Sequence, residues 1–230
     1  MSLFDIRNPY IAITAFYALN LPEYSMRPHG HPHCEIMYVT KGSCLIHVNN
    51  HEFRLKERQF IFLTADILHQ LSISEGTPCS ILNLEFSCLH SKTDICLAEL
   101  HAGSPAFAGF CNYSEEYFVG NDTDHLGYSL KDLINQLRSG IPHKNNVRNL
   151  SDIYTPDQRC TIRLLFQRMM LELAKSVLNH NKNTGMLYLK TARDYISSHL
   201  TEEIRIPQLA EYAGINKSYL QSLFSKYMNC

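Results

Sequence analysis

Residues 27–42 read RPHGHPHCEIMYVTKG, with His29, His31 and His33 at alternate positions and Glu35 two residues further on. Side chains alternate along an extended strand, so the three imidazoles would share a face. Neighbours would stand about 6 to 7 Å apart, and Glu35 would lie roughly 20 Å from His29. A straight strand could not gather these groups around one ion or one small molecule. Pro32 cannot donate a ladder hydrogen bond, so it marks the place where the chain can turn between His31 and Glu35. Beyond the turn, EIMYVTKG reads as a strand that stops at Gly42.

The same character extends around this stretch. From about residue 10 to 87 the chain is a series of short β-rich segments separated by turn residues: YIAITAFYAL, EIMYVTKG, SCLIHVNNHEFRL, QFIFLTA, HQLSIS and CSILNLEF. Asn49 and Asn50 sit between two of these runs and signal a tight hairpin, since their side chains tolerate positive φ. So many short strands in so little chain predict a β-barrel or jelly roll. The stretch from about 88 to 124, with Gly103, Pro105, Gly109 and Gly120, carries no clear period. After it the period turns helical. One helix carries Leu126, Leu130, Leu133, Ile134 and Leu137 on one side and closes on Gly140. A second runs from about 156 to 180, opened by Thr155 as N-cap, Pro156 in the first turn and Gln158 completing a capping box. A third runs from about Met186 to Leu200.

Composition limits the function classes. The 230 residues are 45% hydrophobic, enough for a sizeable core. Lys and Arg number 21 against 22 Asp and Glu, so the whole chain lacks the broad basic field of a non-specific phosphate binder. The eight cysteines show no C-x-x-C pair and no zinc-finger spacing, and read as reduced thiols. The opening residues lack a basic leader, and no apolar run reaches the roughly 18 residues of a membrane span. A cytoplasmic protein without a membrane partner is the expectation.

The last stretch, IRIPQLAEYAGINKSYLQSLFSKYMNC, carries a second pattern. Ile206, Leu209, Ala210 and Ala213 make one face of a short helix with Pro207 at its start. Gly214 breaks it, Asn216 is placed to cap the next helix, and Leu220, Leu223 and Phe224 give that helix a buried side. This is the layout of a helix-turn-helix. Lys217, Ser218, Gln221, Ser222 and Ser225 are then not needed for packing. Gln221 can pair with adenine, the serines can reach base edges, and Lys217 and Lys226 can neutralise phosphates.

Two resemblances follow from these residues. His29-x-His31-x3-Glu35-x6-Gly42, with His69 after RQFIFLTADIL, resembles the two cupin motifs, whose four side chains converge inside a small β-barrel, often on a metal. Arg58 stands where the second motif has glycine, and TAD where it has a proline-glycine turn. The segment LAEYAGINKSYLQSLFSKY resembles the first helix-turn-helix of the AraC/XylS family of bacterial transcription regulators. That family joins a cupin-like sensing and dimerisation domain to two helix-turn-helix units. The resemblance therefore implies an α+β chain: a cupin-like effector barrel over residues 1–100, connecting and dimerisation helices over 101–183, and a partial DNA-binding domain over 184–230 that ends at Cys230 after one unit.

Its implied function is an effector-responsive regulator and not an enzyme. His29, His31, Glu35 and His69 line the effector pocket. Lys217, Ser218, Gln221, Ser222 and Lys226 face double-stranded DNA, with Ser218, Gln221 and Ser222 reading bases. The effector is a small polar molecule, a sugar being one such class. No cofactor is required, although the imidazoles and the carboxylate could hold a divalent metal. Five basic against four acidic residues from Met186 onward imply weak, salt-sensitive DNA binding by this chain. Leu164, Leu171 and Leu178 recur every seven residues and offer a homodimer seam. The alternatives are a metal-dependent cupin enzyme and a dimerising sensor fragment without DNA binding. Metal analysis and salt-dependent DNA binding separate them.

Overall fold

The computed structural model describes residues 9–89, 91–113, 115–123, 125–140, 150–200 and 204–228, with only the backbone for 180–184. His90, His143, Glu202, Glu203 and the side chain of His180 lie outside the described residues. The strands are β1 (Tyr10–Leu21), β2 (Tyr24–Ser25), β3 (Cys34–Lys41), β4 (Ser43–Val48), β5 (His51–Lys56), β6 (Gln59–Leu63), β7 (His69–Ile73), β8 (Cys79–Leu89), β9 (Ile95–Cys96) and β10 (Tyr117–Asn121). The helices are α1 (Ala98–Gly103), α2 (Pro105–Cys111), α3 (Leu126–Gly140), α4 (Pro156–Ser198), α5 (Ile206–Tyr212) and α6 (Lys217–Met228). By internal contacts the chain divides into two units, Met1–Val177 and Leu178–Cys230.

In the first unit the strands pair antiparallel in two sheets, ordered β10-β6-β3-β8-β1-β9 and β2-β7-β4-β5. The hairpin expected at Asn49 and Asn50 joins β4 to β5, with Asn49 at φ 51°. The two sheets share an apolar interior in which Met37, Val39, Ile61 and Ile81 of the larger sheet meet Ile46, Val48, Leu55 and Leu71 of the smaller. The other face of the larger sheet is also covered. Ile36, Tyr38, Phe62, Leu84 and Phe86 pack there in one cluster with Phe110 of α2, Leu130 and Leu133 of α3, and Ile162, Phe166 and Leu173 of α4. Phe166 meets Phe86 edge to face at 5.3 Å, and burying such a side chain contributes about 2–3 kcal/mol. Because both faces of β3 are covered, Cys34 to Val39 are all buried, which is why this strand shows no polar alternation.

Gly42 leaves β3 at φ +80°, and a Cβ there would meet the backbone carbonyl of Pro78. The left-handed conformation and the close approach both demand glycine. Arg58 and Asp66, which stand in departures from the second cupin motif, adopt φ 64° and 65°. The backbone shape that glycine would supply is kept at the expense of backbone strain.

Two expectations are corrected. The unassigned stretch after residue 88 contains α1, α2, β9 and β10, and β10 extends the larger sheet by pairing with β6. Its strands are too short and its helices too brief to leave a visible period. The helices expected at 156–180 and 186–200 are one continuous α4 of 43 residues. A lone helical glycine such as Gly185 costs only about 1 kcal/mol relative to alanine, too little to end it. The Thr155–Gln158 capping box at its start is formed, with the Thr155 N–H donating to Gln158 Oε1 at 3.0 Å and the Gln158 N–H to Thr155 Oγ1 at 3.4 Å.

In the second unit, Ala192, Leu209, Ala210 and Leu220 form a small core joined by Ile196, Ile215 and Phe224. Gly214 turns the chain at φ +71°, and the Tyr219 N–H donates to Asn216 Oδ1 at 2.8 Å, capping α6. Ile206 was expected on the packed face of α5 but is 43% exposed. As the first residue of a two-turn helix it precedes the turns that Leu209 and Ala210 pack. Among the described residues no helix is long and apolar enough to cross a membrane.

Candidate functional site

The bend at Pro32 and His33 does what the spacing requires. His29 lies opposite His69 in an isolated antiparallel bridge, each N–H donating to the other's carbonyl at 3.0 and 2.9 Å. The Asp66 N–H donates to the His31 carbonyl at 2.9 Å and fixes the next residue but one. Glu35 then enters β3 with its side chain in the interior. The rings of His29 and His69 stand 4.3 Å apart, and those of His31 and His69 5.2 Å. Glu35 Oε2 accepts from His31 Nε2 at 3.1 Å and from His69 Nε2 at 3.0 Å. His33 is not a free surface residue: it is half-buried, with Nδ1 2.5 Å from Ser87 Oγ.

The opposite nitrogen of each clustered ring faces a backbone carbonyl. His31 Nδ1 lies 3.2 Å from the oxygen of His33, His69 Nδ1 2.9 Å from that of Ile67, and His29 Nδ1 3.3 Å from that of Arg27. Carbonyls and carboxylates only accept, so both ring nitrogens of His31 and of His69 face acceptors, an arrangement that favours the protonated ring. The hydrogen bond from Glu35 accordingly raises the His31 pKa against the opposing effect of burial. For His69 burial pulls down more strongly than any single neighbour pulls up, yet the Glu35 bond and charge together leave it raised. Burial pushes Glu35 upward, but the bonds from His31 and His69 and their charges overcome it and hold the carboxyl at about 2.

The donor set fits a divalent cation. Ring nitrogens of His29, His31 and His69 lie within 4.8 Å of one another, whereas two ligands of one tetrahedral zinc stand about 3.4 Å apart. A closure of about an ångström, with release of the protons that His31 and His69 share with Glu35, would bring the three nitrogens onto one ion. Carbonyls at Nδ1 of His31 and His69 leave each Nε2 toward Glu35, the kind of anchoring that orients metal-bound imidazoles. His29, His31 and His69 would be the ligands, with Glu35 as the carboxylate, and a bound ion would supply Lewis acidity toward a ligand oxygen.

A cavity of about 360 Å³ opens beside this cluster. His29, Glu35 and His69 line it; His31 is held behind them by Glu35. Its walls add residues that the spacing of histidines does not reveal: Asn83 and Glu85 of β8, Tyr17 of β1, and the aliphatic Met26, Met37, Leu71 and Ile81. Met37 faces the cavity, while its neighbour Tyr38 turns to the helix side and donates to Asp122 Oδ2 at 3.0 Å. Asp122 in turn accepts from the N–H groups of Leu126 and Gly127 at 2.9 and 3.0 Å and caps α3. Burial and the Glu35 charge raise the Glu85 pKa. Asn83 and Glu85 carried a sequence signal of their own, since CSILNLEF places two polar residues at alternate positions in an apolar strand.

In the second unit, Lys217, Ser218, Gln221, Ser222 and Lys226 are all exposed on α6, while Leu220 and Leu223 are buried. Ser222 Oγ donates to the Tyr219 carbonyl at 2.8 Å, and Lys226 Nζ lies 5.1 Å from the Tyr227 ring.

A family model described as the AraC-like ligand binding domain matches residues 13–144, more than half of the chain. No curated protein matches the sequence. Among solved structures the chain is similar to a cupin protein from Bacteroides fragilis, at 19% identity over 34% of this chain and 70% of that one, with a TM-score of 0.30. It is similar to the DMSP lyase DddQ from Ruegeria pomeroyi at 21% identity, over 36% of this chain and 42% of that one, with a TM-score of 0.31. The protein YhaK from Escherichia coli aligns at 8% identity over 54% of this chain and 49% of that one, with a TM-score of 0.36.

Proposed function

Since the chain belongs to the AraC-like ligand-binding domain family over residues 13–144, we propose that it is a cytoplasmic, homodimeric transcription regulator whose β domain binds a small effector and whose α6 contacts double-stranded DNA. The observation that carries this reading is the cavity itself. It is walled by Glu35 and Met37, on the same strand whose alternate residues, Ile36 and Tyr38, pack under the helices. Occupancy on one face of β3 can thereby bias packing on the other, provided the effector binds two arrangements with different affinity. The α6 face supports the DNA half of the proposal: its polar residues are exposed, while Leu220 is buried in the cluster with Leu209 and Ala210 of α5. Leu164 supports the dimer, being 62% exposed on α4 with Leu171 and Leu178 only half-buried below it. Free thiols at the described cysteines suit a reducing compartment.

The test is fluorescence anisotropy on duplex DNA with the salt concentration varied. Lys217→Ala and Lys226→Ala should weaken binding across all sequences and flatten the salt dependence, while Gln221→Ala should relax preference at one base pair. Binding that ignores all three substitutions would remove α6 from the interface. A second reading is favoured by the three clustered imidazoles: a metal-dependent enzyme of the cupin kind. A stoichiometric metal in the purified chain, with turnover lost on His69→Ala, would select it over regulation.

A further inference from the structure

We propose that the cavity takes an elongated molecule with an aliphatic body, its one polar end seated at depth beside Asn83 and its tail running out toward Leu21 and Tyr24 at the mouth, and that it excludes sugars. This deepens the effector reading and rests on it.

The register of the larger sheet lays the cavity wall out in rungs. Asn83 lies beside Met37 and Tyr17, Ile81 beside Val39 and Leu19, and Cys79 beside Leu21. Side chains two apart on a strand share a face. Tyr17, Leu19 and Leu21 accordingly all line the cavity, and past Asn83 the wall is apolar as far as Leu21. Four residues of strand separate the Asn83 rung from Leu21, about 13 Å. The smaller sheet follows the same gradient. Beyond His69 its wall continues as Leu71, then Met26, whose N–H donates to the Leu71 carbonyl at 2.9 Å, and Tyr24, which pairs with Ile73.

Exposure rises along the same line. Asn83 is 6% exposed and Met37, Leu71 and Ile81 are 3 to 4%, whereas Leu19 and Tyr24 are 42% and 37%. The cavity therefore meets solvent through apolar side chains, with Asn83 at depth. The Asn83 amide oxygen is buried in the wall without a partner among the described residues, which leaves the NH2 as the polar part of this side chain that meets the cavity. An NH2 group only donates, so it suits an accepting oxygen on the ligand. A sugar carries hydroxyls all round, and those against Met37, Leu71 and Ile81 would be buried unpaired.

Size agrees with this layout. At about 30 Å³ per non-hydrogen atom, the share of a water molecule in the liquid, a cavity of about 360 Å³ holds about a dozen such atoms. An extended chain advances about 1.2 Å per bond. With its oxygen at Asn83, decanol comes level with Leu21, while hexanol ends near Leu19.

Hexanol, octanol and decanol share one uncharged head, so the series is blind to the ionisation of the neighbouring histidines and carboxylates. Binding of each, and of glucose, to the full chain as purified is read by calorimetry and by the shift in melting temperature. One saturable site per chain is expected, with decanol bound at least about tenfold more tightly than hexanol and than glucose. Two substitutions fix the orientation. Leu21→Ser should weaken decanol by about threefold or more and leave hexanol within about twofold. Asn83→Leu should weaken all three alcohols by one common factor of about fivefold or more. Should either variant fail to fold, Leu21→Ala or Asn83→Ala carries the same expectation. A gain of less than about tenfold across the series, glucose within about tenfold of decanol, or no saturable site overturns the proposal. So does a Leu21 change felt equally by hexanol and decanol, or alcohol binding indifferent to the Asn83 change. These measurements contain no DNA, so the DNA reading can fail while the ligand class stands, and the reverse.

Discussion

Glu35→Gln is the most direct probe of the buried cluster, because it keeps the side chain's volume and removes its charge and one acceptor. Glu35 is 6% exposed, His69 4%, and its two bonds are 3.1 and 3.0 Å long. A hydrogen bond to an ionised partner contributes about 1.5–3 kcal/mol. Glutamine retains one carbonyl acceptor, and the original ion cluster gives back part of its attraction to desolvation. The expected net destabilisation is about 2–4 kcal/mol near pH 6.

The sign of the pH dependence follows from the shifts. His31 and His69 titrate above their ordinary 6.5, so their contribution is complete below 6.5 and is lost as pH rises through the folded values. Glu35 is held at about 2 against an ordinary 4.5, so its contribution is present above 4.5 and is lost as pH falls toward 2. The cluster stabilises most between 4.5 and 6.5. Urea titrations followed by far-ultraviolet circular dichroism, with chelator present, should show a smaller penalty for Glu35→Gln at about pH 8.5 than at about pH 6. A loss below about 1 kcal/mol near pH 6, or a larger loss at the higher pH, would refute the paired-imidazolium account.

Three further outcomes are expected. Gly42→Ala should destabilise by at least about 2 kcal/mol in the same titration, since left-handed strain alone costs about 1 and the Pro78 carbonyl must also move; a neutral change would contradict the turn geometry. Leu164→Glu with Leu171→Glu should convert a dimer to a folded monomer in light scattering, whereas an unchanged mass would place the seam elsewhere. Zinc added to chelator-treated protein should raise the melting temperature, and His29→Ala and His69→Ala should each abolish the rise; a rise that survives both places the metal outside the cluster.

Much of the fold was legible because its strands are bounded by punctuation. Asn49 and Gly42 mark ends that period and turn chemistry both recognise. Thr155 and Gln158 announced the start of α4 for the same reason. Its length was not legible: HNKNTG has the polarity of a loop, yet a helix anchored at both ends by packing carries such a stretch through. The C-terminal pair was readable residue by residue except at Ile206, where period promised burial and position at the helix start denied it.

The site was half legible, and the boundary between the halves is physical. Four side chains at fixed spacing around Pro32 can be seen to need a common centre, because histidine and glutamate are expensive to bury unpaired. Asn83 is buried and Glu85 partly buried in the wall, but they sit in a strand covered on both faces, where alternation no longer separates inside from outside. Only the register across β1, β8 and β3 decides that Asn83 and Glu85 look into the cavity while Leu82 and Leu84 look to the helices. The same alternation gives a ligand its leverage. A molecule that pulls on Glu85, Asn83 or Met37 pulls on a strand whose next residue holds the helix layer, at Tyr38 through Asp122 to the start of α3. If that route transmits occupancy, Tyr38→Phe should leave ligand affinity within about threefold and reduce the ligand's effect on DNA binding by about tenfold. Equal ligand response in Tyr38→Phe and the parent would mean that the signal leaves the cavity by another strand.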